Sequence, residues 1–122
     1  MRKKNYKGRV EKRTLPLCND VCRTYDALQY QYATLLSESD DVESFDVNVS
    51  LEGLEIGAYT SDFVIHKKDG GIAIRECVFR SKLTRPLTCK LLDASRLYWK
   101  SHGVNDWGIV IDKEKEGVEN DA

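Results

Sequence analysis

Between Tyr25 and Leu36 apolar residues recur three and four positions apart, at Tyr25, Leu28, Tyr32, Leu35 and Leu36. That is the spacing of one face of a helix, predicted over 24–37, with Thr24 or Asn19 as its cap and Ser37 to Asp41 ending it. The period then changes to two: Phe45, Val47 and Val49 alternate with polar residues over Val42 to Val49, as in a half-buried strand. Further strands are predicted over Tyr59 to His66 and Ile72 to Phe79, joined by Lys67-Lys68-Asp69-Gly70-Gly71, whose Asp-Gly step favours a hairpin turn. Pro86 suits the first turn of a second helix running to about His102, with Leu87, Leu91, Ala94 and Tyr98 as its inner stripe. Gly103 ends that helix, and Trp107 to Asp112 reads as a short last strand. The order αβββαβ implies an α/β fold: a mixed central sheet flanked by helices.

The hairpin carries the first hint of chemistry. A five-residue loop at 67–71 pairs His66 with Ile72 and brings Asp62 opposite Glu76. Opposed residues share a sheet face, with Cβ atoms about 4.5–5.5 Å apart. Two carboxylates so placed repel unless one is protonated or a cation lies between them, which suits a Mg²⁺ seat. A slip of one residue in the loop would send them to opposite faces.

Length and composition bound the rest. The 122 residues, 41% hydrophobic and 32% charged, make one domain with one core. The expected divisions are a basic arm over 1–13, a domain over 14–112 and an acidic tail over 113–122. No apolar run is long enough for a membrane span, and no apolar stretch follows the basic start as in a secretory signal. The expectation is a cytoplasmic protein with reduced cysteines, no membrane partner and no small-molecule cofactor. The net charge of −1 conceals three blocks. Residues 1–13 hold seven Lys/Arg and one acid, residues 24–65 hold nine acids and no Lys or Arg, and residues 66–100 hold nine Lys/Arg and three acids. The basic blocks suit a polyanion such as DNA, and the acidic block repels one unless cations intervene.

Other reactive residues read more simply. Cys18 and Cys22 have no second pair at zinc-site spacing and read as buried or spare thiols, while Cys77 and Cys89 read as small apolar residues. His66 and His102 fall at element ends, as surface or capping groups, and Trp99 and Trp107 read as core residues flanking the Gly103 turn.

Three stretches carry a family resemblance: 28–32 (LQYQY) leading to 39–42 (SDDV), 59–65 (YTSDFVI), and 98–110 (YWKSHGVNDWGIV). Together with the αβββαβ order they resemble the PD-(D/E)XK nucleases, and more narrowly the N-terminal catalytic domain of TnsA-type transposon endonucleases, over roughly residues 8–116. The last stretch is the most specific. The resemblance implies a restriction-endonuclease-like core and Mg²⁺-dependent hydrolysis of DNA phosphodiesters. Asp62 and Glu76 would hold the metal, and Gln29 stands where the family has a helix carboxylate.

Two positions depart from the pattern. Gln29 adds no negative charge, and Val78 occupies the position of the family's lysine, where it can neither orient water nor stabilise charge on phosphate. Arg80 projects to the same side farther along the strand, and Lys82 or Lys90 could reach back toward the carboxylates. Arg85, Arg96 and Lys100, with Arg80, Lys82 and Lys90, form the candidate DNA-binding set. Two functions stay open: a TnsA-like endonuclease acting in the DNA transactions of a mobile element, or a silent nuclease-fold domain that binds DNA or a protein partner, as a transposition subunit or a mobile-element inhibitor.

Overall fold

A computed structural model describes residues 10–54, 57 and 59–112. A small antiparallel pair, β1 (Glu11–Arg13) and β2 (Cys22–Thr24), comes first, followed by α1 (Ala27–Ser37). Then come β3 (Val42–Leu51), β4 (Tyr59–Lys67), β5 (Ile72–Cys77), a 3-10 turn at Arg80–Lys82, α2 (Pro86–Ser101) and β6 (Asp106–Val110). The main sheet has the order β3-β4-β5-β6, with β3, β4 and β5 antiparallel in turn and β6 parallel to β5. The fold is therefore α/β, with a four-stranded mixed sheet and two helices. No described helix is long and apolar enough to cross a membrane.

Residues 11–13, expected in a separate arm, are tied to the domain. Arg13 lies over the Tyr30 ring at 3.5 Å and donates to Thr34 Oγ1 and the Tyr30 carbonyl at 2.7 and 2.8 Å. The rest of the basic arm (1–9) and the acidic tail (113–122) lie outside the described residues.

The cap of α1 is Asp26 rather than Thr24 or Asn19. Its carboxylate accepts the Gln29 amide at 2.8 Å, satisfying one of the amides the first turn leaves open. Thr24 is buried in β2, and Asn19 is spent on Ser44 and Asp46. The inner face of α1 is Leu28, Gln29, Ala33 and Leu36; Tyr25 precedes the helix and Leu35 is 58% exposed. The stripe of α2 is likewise rotated from expectation: Leu92 and Ser95 are buried, while Leu87 is exposed. A serine at the centre of the buried face obscures the pattern, because Ser95 serves a polar partner described below.

At the end of α2 the Val104 amide donates to the Trp99 carbonyl at 2.8 Å and the Gly103 amide to the Lys100 carbonyl at 3.0 Å. Gly103 sits at φ +83° between them, the Schellman arrangement that only a residue in the left-handed region closes. His102 caps this end, its Nδ1 2.8 Å from the Tyr98 carbonyl. The β4–β5 hairpin has the expected register, with His66 opposite Ile72 and Phe63 opposite Arg75.

Two apolar clusters sandwich the sheet. On one side Leu28, Ala33 and Leu36 of α1 pack with Phe45, Phe63, Ile65, Ala73 and Cys77. On the other, Val64, Ile74 and Val104 pack with Val49, Trp99 and Trp107. The alternation of β3 breaks in the middle, since Val47 joins the first cluster and Val49 the second. The break is at Asn48, which has φ +53° and is skipped by the ladder between Val47↔Phe63 and Val49↔Ser61. A residue in that conformation re-aims its strand, as a bulge does. Asp62, facing Asn48, is skipped with it.

Candidate functional site

The break in the ladder places the candidate residues. Phe63 and Ile65 face α1, so strict alternation would put Ser61 beside them. Instead, the Ser61 hydroxyl meets Trp99 Nε1 at 2.9 Å and Ser95 Oγ at 3.4 Å, on the α2 side. The Asp62 carboxylate turns the other way: Oδ1 accepts from Gln29 Nε2 of α1 at 3.3 Å, and Oδ2 from the Cys77 amide at 2.8 Å. Glu76 keeps the regular alternation of β5, and its carboxylate faces α2. There Oε2 accepts from Ser61 and Ser95 hydroxyls, both at 2.7 Å, while Oε1 accepts the Asp62 amide at 2.9 Å.

The expected two-carboxylate seat is thus corrected in one respect. The register is as predicted, but the two side chains do not project from a common face, because alternation breaks between Asp62 and Phe63, which both face α1. The carboxylates are joined through backbone amides rather than facing each other across an open gap. Both lie deep, Asp62 at 1% exposure and Glu76 at 0%, with Gln29 at 2%.

Four residues of this network read as ordinary positions in the sequence: Ser61, Ser95, Trp99 and Trp107. The Trp107 indole donates to Ser95 Oγ at 3.0 Å, as that of Trp99 does to Ser61. Each hydroxyl therefore accepts from an indole and donates to Glu76. Indole can only donate, so the direction of both chains is fixed. The available signal was Ser95 itself, four residues before Trp99 and so on the same helical face.

Mg²⁺, which the resemblance implies, fits this donor set poorly. Gln29 could assist a metal only through its carbonyl oxygen, yet that oxygen accepts the Tyr25 amide at 2.9 Å, and a backbone N–H leaves no choice of amide orientation. Gln29 consequently presents its NH₂ to Asp62. Glu76 Oε2 already takes two hydroxyl protons, which occupy both of its lone pairs. Among the described residues no group of three or more His, Cys, Asp and Glu side chains is gathered as metal ligands.

Val78 is 8% exposed and donates its amide to the Val110 carbonyl at 2.9 Å. Arg75, next to Glu76, is directed to Asp106, whose carboxylate also takes Lys67; both contacts are 2.8 Å. Hydrogen bonds from Lys67 and Arg75 hold the Asp106 carboxyl below its ordinary range, and the Asp106 contact raises Lys67.

The six cations of the candidate DNA surface are all exposed. Arg80, Lys82, Arg85 and Lys90 gather on the 3-10 turn and the start of α2; Arg80 is held by Asp112, through its amide at 2.6 Å and Nε at 2.9 Å. Lys82 and Lys90 lie at the surface, unlike the buried carboxylates they were expected to serve. Arg96 pairs with Asp93 at 3.0 Å, and Lys100 is in the last turn of α2, about 22 Å along the axis from Arg85. Four of the six therefore fall within the 3-10 turn and the first two turns of α2, and the other two lie farther along the helix. Cys89 is exposed rather than packed, and His66 pairs with Asp46 at 3.1 Å.

No protein-family model matches the chain, and a search of curated proteins returns no match.

Proposed function

We propose that this chain is a silent nuclease-fold domain, similar to the N-terminal domain of TnsA endonucleases, that binds DNA without cutting it. The observation that carries the reading is the burial of Asp62 and Glu76 at 1% and 0% exposure, with Val78 at the family's lysine position. A phosphodiester cannot reach carboxylates closed off in this way, and the family's two remaining positions, Gln29 and Val78, supply neither metal charge nor a cation. The αβββαβ order and the 98–110 stretch, which forms the end of α2, its Gly103 turn and β6, support the kinship.

The binding surface is the cluster Arg80, Lys82, Arg85 and Lys90. These residues precede or open α2, whose first-turn amides add positive potential for phosphate. Contacts of this kind hold the DNA backbone without reading bases, so sequence choice in a mobile-element complex falls to a partner.

The test is to incubate the protein with supercoiled DNA and Mg²⁺ or Mn²⁺, and to measure duplex affinity across salt concentrations. The expected result is no nicking, with affinity that falls steeply as salt rises. Replacing the four cations with alanine flattens that slope, by about 0.9 for each phosphate no longer neutralised. Metal-dependent nicking abolished by Asp62→Ala would reinstate the endonuclease. Binding absent or insensitive to salt would leave the protein-partner role.

A further inference from the structure

Outside the candidate site, the molecule brings two thiols together. The chain bends at Asn19–Asp20, between the contact of Cys18 with β3 and the start of β2 at Cys22. The bend is pinned on both sides. The Asn19 amide donates to the Phe45 carbonyl at 3.0 Å, Asn19 Nδ2 reaches Asp46 at 3.0 Å, and the Asp20 carboxylate accepts the Val21 amide at 2.8 Å. As a result Cys18 and Cys22, four residues apart, pack into one apolar cluster. Neither forms a disulfide.

We propose that Cys18 and Cys22 are an oxidisable dithiol, a modification site for low-molecular-weight disulfides such as oxidised glutathione. In the first step the Cys18 thiolate attacks one sulfur of the small disulfide and expels one thiolate, leaving a mixed disulfide on Cys18. The Cys22 thiolate then attacks Cys18 Sγ and expels the second. Two protein thiols lose two protons and two electrons, and the small disulfide is reduced to two thiols.

Exposure sets the order of attack. Cys18 is half-buried and reachable, whereas Cys22 is fully buried. Burial, with Cys18 beside it, pushes the Cys22 thiol up to about 12, which rules it out as the first nucleophile; it reacts only in the second, intramolecular step, once the mixed disulfide stands on Cys18. The product joins the segment clasped to β3 with the first residue of β2 and locks the bend between them. This inference is independent of the DNA-binding reading, because it concerns the opposite side of the chain from the basic cluster in sequence and invokes none of its residues.

The experiment uses the full chain carrying Cys89→Ser, which removes the exposed thiol, equilibrated with oxidised and reduced glutathione. It is then quenched, alkylated, digested and mapped by mass spectrometry. The expected product is a Cys18–Cys22 disulfide that lacks two hydrogen atoms, carries no glutathione and is reversed by dithiothreitol. Cys22→Ser in the same background should stop at a glutathione adduct on Cys18, and Cys18→Ser should leave Cys22 unmodified. A persistent adduct on Cys18 with Cys22 still alkylatable, a cross-link between two chains, or no reaction at either thiol would each overturn the proposal.

Discussion

Asp62 and Glu76 each accept a backbone amide of the other's strand. The Asp62 amide donates to Glu76 Oε1 at 2.9 Å, and the Cys77 amide, next to Glu76, donates to Asp62 Oδ2 at 2.8 Å. The β4–β5 ladder ends at Phe63↔Arg75, so these carboxylates take over the pairing where the backbone stops doing so. A buried amide left without an acceptor costs about 1–3 kcal/mol. Here both acceptors are side chains, which makes stability depend on residues that a nuclease would reserve for metal.

Glu76→Gln tests this dependence. An amide keeps one carbonyl oxygen and turns the other position into a donor, so it cannot serve Ser61, Ser95 and the Asp62 amide together. The expected loss is about 1–3 kcal/mol in urea unfolding, at unchanged m-value. Asp62→Asn should fall in the same range, since its NH₂ would confront either Gln29 Nε2 or the Cys77 amide. Full stability in both variants would mean that the carboxylates are not structural.

Asn48 lies opposite the break that exchanges the sides of Ser61 and Asp62, sending Ser61 toward α2 and Asp62 toward α1. Its φ of +53° suits Asn and Gly, and its Nδ2 donates to the Arg23 carbonyl at 2.9 Å. Asn48→Gly keeps the backbone and loses that hydrogen bond, a cost of about 1 kcal/mol. Asn48→Val adds the strain of a β-branched residue in the left-handed region, about 1–2 kcal/mol more. Proton NMR of the Trp99 indole, which rests on Ser61, should shift further in the valine variant. Equal stability of the two would remove the case for a conformational pivot.

The same residue explains where sequence reasoning stops. The hairpin register is legible because Asp-Gly and a five-residue loop fix it locally, and the helix–turn–strand passage from Tyr98 to Val110 because Gly103 marks its own turn. The direction of Asp62 is not, since alternation of period two assumes an unbroken strand and nothing in Val47-Asn48-Val49 announces a left-handed residue. Ser95 is hidden for a related reason: its place in the core depends on Glu76, 19 residues earlier, rather than on its own polarity. Asp26 is masked as the α1 cap because the apolar spacing continues back to Tyr25, which lies ahead of the helix.

Asp106, between Lys67 and Arg75, gives a pH dependence with a definite sign. Its carboxyl is held below its ordinary value of 3.8, so its contribution is complete above that value and is lost as pH falls through the lowered one. Lys67 is raised above 10.5, so its share is complete below that value and fades as pH rises through the raised one. Asp106→Asn should therefore narrow the stability gap to wild type at both extremes and leave it widest between them. The groups are part-exposed, at 40% for Asp106 and 35% for Lys67, so high salt should shrink the gap. A gap between the two proteins that is constant from acid to alkali would refute the assignment.

Gly103 offers the cleanest test of how α2 is set against the sheet. Its φ is +83°, and a Cβ built there meets nothing within 4 Å, so substitution acts through backbone strain alone. Gly103→Ala should cost about 1–2 kcal/mol, and Gly103→Asn less, because asparagine tolerates the left-handed region. The strain would act on the amides of Gly103 and Val104, which close on Lys100 and Trp99, and so on the Trp99 indole that holds Ser61 toward Glu76. Urea midpoints should fall in the order Gly, Asn, Ala, with hydrogen exchange at the Val104 amide accelerating in the same order. If alanine matched glycine in both measurements, the turn would not be the device that fixes Trp99, and the geometry around Glu76 would have to be set from the sheet side alone.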